Sequence, residues 1–186
     1  MTALLAAAVL LAAAPHPRLL PADAHLDHAW HLGPRQVLVE WHRVERVSPK
    51  LGLRGDYTVW RLVLWTKTDR WRPYYVLDDS TALDSIDDVE IADVTGDGDR
   101  DVLASDVQGN HGSGPYRVVQ AGPHPDTLLA GDWAESRWFV RRGILTIVEP
   151  RGGQSVCCPD WYAYVRYRWT GRTLVVAKTR LVRQHY

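Results

Sequence analysis

Tyr162-Ala163-Tyr164-Val165-Arg166-Tyr167-Arg168-Trp169, then Thr170-Gly171-Arg172, then Thr173-Leu174-Val175-Val176-Ala177-Lys178-Thr179-Arg180-Leu181-Val182, is the stretch that decides the fold class. Successive side chains of a strand point to opposite faces. Tyr162, Tyr164, Arg166 and Arg168 therefore share one face, and Ala163, Val165, Tyr167 and Trp169 share the other. A glycine between two β-rich runs marks a turn. The stretch predicts an antiparallel hairpin with one wet and one dry face.

The same signals recur upstream. Residues 37–41 and 57–65 read as strands, and 71–77 pairs with the second of them across 66–70. Residues 89–94, 101–105 and 116–119 follow. Residues 137–140 and 144–148 flank Arg141-Arg142-Gly143, a hairpin turn. Helix signals are faint; 81–88 holds one turn at most. About ten short strands separated by turns predict an all-β domain of antiparallel sheets.

The chain has 186 residues, enough for one domain with a real core, and its formal net charge is zero. Zero net charge argues against a nucleic-acid partner, which usually selects a basic surplus. Nine Trp and eight Tyr stand against one Phe. Amphipathic aromatics suit sheets with one wet face, and they suit sugar-binding surfaces too.

One loop carries specific chemistry. Asp93-Val94-Thr95-Gly96-Asp97-Gly98-Asp99-Arg100-Asp101 places carboxylates at offsets 1, 5, 7 and 9, with Thr95 at offset 3. Such side chains can converge on one point, with a backbone carbonyl near offset 7. Oxygen ligands at that density suit Ca²⁺, which accepts six to eight in loose geometry. Gly98 allows a sharp turn without a Cβ penalty. Without a cation the carboxylates repel one another. The expected ligands are Asp93, Thr95, Asp97, Asp99 (through its carbonyl) and Asp101. An EF-hand is a poor match, because its twelfth position here is Ala104 and the flanks are β-like.

The loop resembles the calcium loop of FG-GAP (VCBS-type) repeats, the blade motif of certain β-propellers, which reads roughly Asp-x-Asn/Asp-Gly-Asp-Gly-x-x-Asp-Leu. Asp93, Gly96, Asp97, Gly98 and Asp101 match. Thr95 replaces the usual Asn or Asp, which weakens the site, and Val102 replaces Leu. The resemblance spans about 30 residues and implies blade-like sheets. A seven-bladed propeller of such repeats needs several times this length, and no second acidic loop occurs. The expected architecture is an incomplete propeller, two or three sheets stacked like blades, with a β-sandwich as the alternative.

The amino terminus reads as an export signal. An apolar run over 4–14 is too short to span a bilayer, and Ala22-Asp23-Ala24 supplies an A-x-A cleavage pattern. No Lys or Arg precedes the run, a departure from the usual charged start. The expected division is a signal peptide over 1–24, a tail over 25–35 and a single all-β domain over 36–186, in a secreted protein without a membrane span once processed. Cleavage would leave His25 first, followed by His28 and His31. An amino-terminal His resembles the histidine brace of copper enzymes, but that family needs a second, distant His motif not evident here; a polar segment is the simpler reading.

Cys157 and Cys158 are the only cysteines. In an exported protein they are expected to be oxidised. The options are a strained vicinal disulfide, an intermolecular bridge or a dithiol metal site, in that order. Arg54-Gly55-Asp56 spells an integrin-binding tripeptide that arises readily by chance.

No catalytic residue is assigned. There is no Gly-x-Ser-x-Gly elbow, no His-Glu-x-x-His and no phosphate-cradling loop. Asp78, Asp79, Asp84, Asp87 and Asp88 could supply a carboxylate pair near His111, yet an acidic solvated segment accounts for them. The expected function is an exported, calcium-binding, non-catalytic binding or adhesion module whose partner is an extracellular glycan or protein. The alternative is a small secreted carbohydrate-active enzyme or hydrolase.

Overall fold

The computed structural model describes residues 19–46, 56–79, 86–106, 113–134, 137–152 and 159–183. These form twelve strands: β1 (His25–Gly33), β2 (Gln36–Arg46), β3 (Asp56–Lys67), β4 (Trp71–Asp79), β5 (Ile86–Ala92), β6 (Asp101–Asp106), β7 (Ser113–Gln120), β8 (Asp126–Ala134), β9 (Arg137–Arg141), β10 (Ile144–Arg151), β11 (Trp161–Trp169) and β12 (Leu174–Arg183). They make three four-stranded antiparallel sheets, each a meander of consecutive strands: β1–β4, β5–β8 and β9–β12. No helix among the described residues is long and apolar enough to cross a membrane.

The sheets stack like blades, and the middle one is covered on both faces. Val102 and Ala104 of β6 pack with Leu38, Leu62, Leu64 and Val76 of the first sheet. Leu103, between them, packs with Leu145, Ile147 and Val165 of the third. All three of these β6 residues are 0% exposed. That is why β6 reads as a continuous apolar run, whereas β11 alternates: a strand buried on both faces has no wet side to mark with polar residues. On β11 the alternation holds as expected, with Ala163, Val165 and Tyr167 buried and Arg166 and Arg168 exposed.

The outer face of the first sheet is also covered. Leu19, with Leu20 and Ala24 beside it, packs on Val37, Val39, Trp41 and Val63. Cleavage after Ala24 would uncover those residues. The rest of the expected signal peptide, 1–18, lies outside the described residues. The expected tail over 25–35 is corrected: residues 25–33 are β1, paired antiparallel with β2 from His25↔His42 to Gly33↔Gln36. Its polar histidines hid its half-buried Trp30 and Leu32, which pack toward the middle sheet.

Strand β8 also escapes the sequence pattern, because Leu128-Leu129-Ala130-Gly131 neither alternates nor favours a strand. Its Gly131 has a packing reason. It lies opposite Tyr116, and a Cβ there would come within 2.6 Å of the Tyr116 ring. The ring is buried over the glycine, an arrangement that compensates for a glycine in a strand. Gly131→Ala is expected to destabilise the fold by about 1–3 kcal/mol through overpacking, read as a lower urea midpoint with an unchanged slope. The β9–β10 turn has Arg142 and Gly143 both at positive φ (53° and 69°), the type I′ geometry of tight hairpins. The 81–88 helical turn does not form in its described part, since Ile86 opens β5.

Candidate metal site

The acidic loop, residues 93–100, connects β5 to β6, and Ala92↔Asp101 is the last pair before it. Gly96 and Gly98 sit at φ 75° and 88°, where L side chains are strained, so the loop needs glycine at both. Neighbours hold it on three sides. Gln120 of β7 donates to Asp97 Oδ2 at 2.9 Å. Arg100 reaches the His31 carbonyl of the first sheet at 3.5 Å. The β9–β10 turn of the third sheet lies beside the loop, where a Cβ added at Gly143 would stand 3.9 Å from the Asp93 carbonyl.

Inside the loop, backbone amides are folded onto carboxylates. Asp93 accepts from the amides of Gly96 at 2.5 Å and Gly98 at 3.1 Å. Asp97 Oδ1 accepts from the Asp99 amide at 2.9 Å. Asp101 Oδ2 accepts from the amides of Val94 at 2.9 Å and Thr95 at 3.1 Å, and from the Thr95 hydroxyl at 3.3 Å. Thr95 Oγ1 also lies 3.4 Å from Asp93 Oδ1, so its hydroxyl bridges the first and last carboxylates of the motif.

Asp101 is the unusual member. It is 0% exposed, and its Oδ1 has no hydrogen-bond partner; Trp65 Nε1 is the other such buried side-chain atom among the described residues. Burial pushes its carboxyl up to about 6 against the pull of the Val94 and Thr95 amides, and the nearby Asp97 charge pushes the same way. Asp97 behaves oppositely. What burial it has raises it, but bonds from the Asp99 amide, Thr95 and Gln120 outweigh that and hold it below the ordinary carboxylate range. The loop thus holds an ionised, exposed Asp97 beside a buried Asp101 with one oxygen unmatched.

Among the described residues, no three His, Cys, Asp or Glu side chains are gathered as a ready-made metal cluster. Asp93 faces amides, and Asp97 is turned partly to Gln120. The donor set nevertheless fits a hard cation: carboxylate oxygens and one hydroxyl, with one buried carboxylate oxygen lacking a partner.

A cleft of about 620 Å³ opens beside the loop, between the β1–β2 turn, the end of β3 and the β7–β8 turn. Gln36 donates to the Gly122 carbonyl at 2.7 Å, tying the first sheet to the middle one at its edge. Arg35, Lys67 and Asp99 line it, and Asp99 is its single carboxylate among the described residues.

Sequence reading missed two acid–imidazole pairs on the first sheet. Asp27 Oδ2 lies 2.7 Å from His42 Nδ1, and Glu40 Oε2 lies 3.0 Å from His28 Nδ1. The His25 ring stacks on His42 at 5.3 Å. Cross-strand register alone brings these residues together. His25 and His28 therefore find separate partners, and among the described residues the histidines of β1 form no metal cluster. No described hydrogen bond joins His28 or His42 to a Ser, Thr or Cys. The side chains of Asp78, Asp79, Asp87 and Asp88, and all of Asp84, His111, Cys157 and Cys158, lie outside what is described, as do Arg54 and Gly55. Comparison with protein-family models, with curated proteins and with solved structures finds no match.

Proposed function

We propose that the chain is a calcium-binding β-module that acts by binding rather than by catalysis, exported and engaging a glycan or protein partner. The observation that carries the calcium reading is the buried, unmatched Oδ1 of Asp101 in a loop where Asp93, Asp97 and the other Asp101 oxygen all accept hydrogen bonds. A cation satisfies that oxygen and offsets the repulsion between Asp97 and Asp101. The resemblance of the loop to the FG-GAP calcium loop supports the same reading. When bound, Ca²⁺ supplies fixed positive charge; Asp93, Thr95, Asp97, Asp99 and Asp101 would hold it. Support for a binding role comes from the cleft beside the loop, where the described residues present one carboxylate and glycoside hydrolysis needs two.

With Thr95 in place of a stronger ligand, affinity is expected in the extracellular range, a Kd of about 10⁻⁴–10⁻³ M. Calcium titration of the metal-free protein by calorimetry should give one site in that range. Asp97→Ala, which removes an exposed ligand without opening a cavity, should abolish the heat. Titration heat unchanged in Asp97→Ala would place calcium elsewhere.

A second reading, hydrolysis, draws on the Asp27–His42 pair, whose geometry orients an imidazole. It requires His42→Ala to abolish turnover of a polysaccharide or ester substrate while the melting temperature stays unchanged.

A further inference from the structure

Charge is separated between the sheets in a way that zero net charge conceals. The four strands of the third sheet carry eight Arg and Lys against one carboxylate, Glu149. The four strands of the middle sheet carry seven carboxylates against one Arg. Glu149 is buried and hydrogen-bonded to Arg151, so it does not offset the other cations.

The outer face of the third sheet collects much of this charge. Register sets Arg166 opposite Lys178 and Tyr164 opposite Arg180. A bulge skips Ala177 between these pairs and the Tyr167↔Val176 pair. By simple alternation Lys178 would follow Leu174 and Val176 to the inner face; the bulge turns Lys178 and Arg180 outward instead. Like charges directly opposite one another on a sheet are destabilising. Among the described residues, Arg166, Lys178 and Arg180 have no carboxylate partner, and all three are exposed. The sheet therefore sustains an unfavourable cluster of cations at a groove of about 390 Å³ that also includes Phe139, Thr146, Tyr164 and Val182.

We infer that this groove binds an acidic polysaccharide, a chain of sugar rings bearing carboxylates or sulfates. Phe139, 45% exposed, offers a ring against which the apolar face of a sugar can lie. Arg166, Lys178 and Arg180 meet the acid groups, Arg with a fork that matches a carboxylate. Lys178 and Arg180, two residues apart on one strand, stand about 7 Å from one another. Arg168, on the same face two residues past Arg166, extends the charge beyond the groove. An open row of charges suits a polymer better than a single small anion. Single-stranded nucleic acid would need ring faces exposed in series, and of the groove's two rings Phe139 alone is exposed, Tyr164 being half-buried.

The test is affinity electrophoresis of the full chain through gels containing alginate, neutral dextran or dextran sulfate. Chelator is present throughout, so that calcium cannot bridge protein and uronate. Wild type is expected to be retarded by alginate or dextran sulfate and not by dextran. Arg166→Gln/Lys178→Gln/Arg180→Gln should weaken binding at least about tenfold, and Phe139→Ala about threefold. The control Arg70→Glu/Arg72→Gln on the first sheet, which changes the charge by the same three units outside both the cleft and the groove, should change it less than twofold. All the substituted residues are exposed, so equal melting temperatures will show that folding is preserved. No retardation of wild type, equal losses in the groove and control variants, or tighter binding of an oligothymidylate than of alginate would each overturn the inference.

Discussion

Asp101→Asn is expected to fold normally and to lose its melting response to calcium, whereas Asp101→Ala is expected to lose stability with or without the metal. The difference follows from the two oxygens of one side chain. Oδ2 accepts from the amides of Val94 and Thr95, both in buried residues, and Asn can still accept there. Alanine leaves two buried donors without a partner, which costs about 2–4 kcal/mol. Oδ1 has no partner, and when the carboxyl ionises the charge it shares with Oδ2 is buried. Asn removes that charge. Metal-free Asp101→Asn should therefore lie within about 1 kcal/mol of wild type, its unmatched amide roughly replacing the penalty of an unmatched carboxylate oxygen. Thermal melts of both variants in calcium and in chelator check this. A calcium-responsive Asp101→Asn would remove Asp101 from the ligand set.

Leu103→Ala is the second large effect, about 2–5 kcal/mol. Leu103 is 0% exposed and sits on the face of the middle sheet that packs on the third, among Leu145, Ile147 and Val165. With sheets on both sides, the site has little freedom to collapse into the cavity. Leu181→Ala, at 60% exposure on β12, should change stability by less than about 0.5 kcal/mol. Urea denaturation of the two variants side by side measures how far the stacked middle sheet carries the core. Equal, small losses would mean that the sheets do not pack as described.

Much of this fold is legible in the sequence because its strands pair with their neighbours. Local alternation identifies β11, and a Gly turn identifies its pairing with β12. The stacking was foreshadowed only by the acidic loop and its blade resemblance. Strand β1 was hidden because His25, His28 and His31 look like a polar tail until β2 supplies Glu40 and His42 as partners. Strand β8 was hidden because its Gly131 is explained only by a ring from the adjacent strand. At the candidate site, Asp93 to Asp101 stand out by spacing. Which carboxylate is buried, and which of its oxygens lacks a partner, depends on the sheets that close around Asp101. Net charge conceals a pattern for a related reason: summing over the chain cancels an acidic middle sheet against a basic third one. Only the assignment of strands to sheets separates them.

The central claim is that calcium binds the 93–101 loop and stabilises the fold, and thermal melting of the wild-type protein tests it most directly. At a Kd of about 10⁻⁴–10⁻³ M, millimolar calcium adds about 0.4–1.4 kcal/mol by mass action. At ten times that calcium the gain is about 1.4–2.7 kcal/mol, which for a chain of this size raises Tm by roughly 3–10 °C over chelator. Magnesium at the same concentration should give a smaller rise, because it demands tighter octahedral geometry and gives up water reluctantly. The same Tm in calcium and in chelator would show that the loop is an acidic turn closed by its own amides, and would contradict the account.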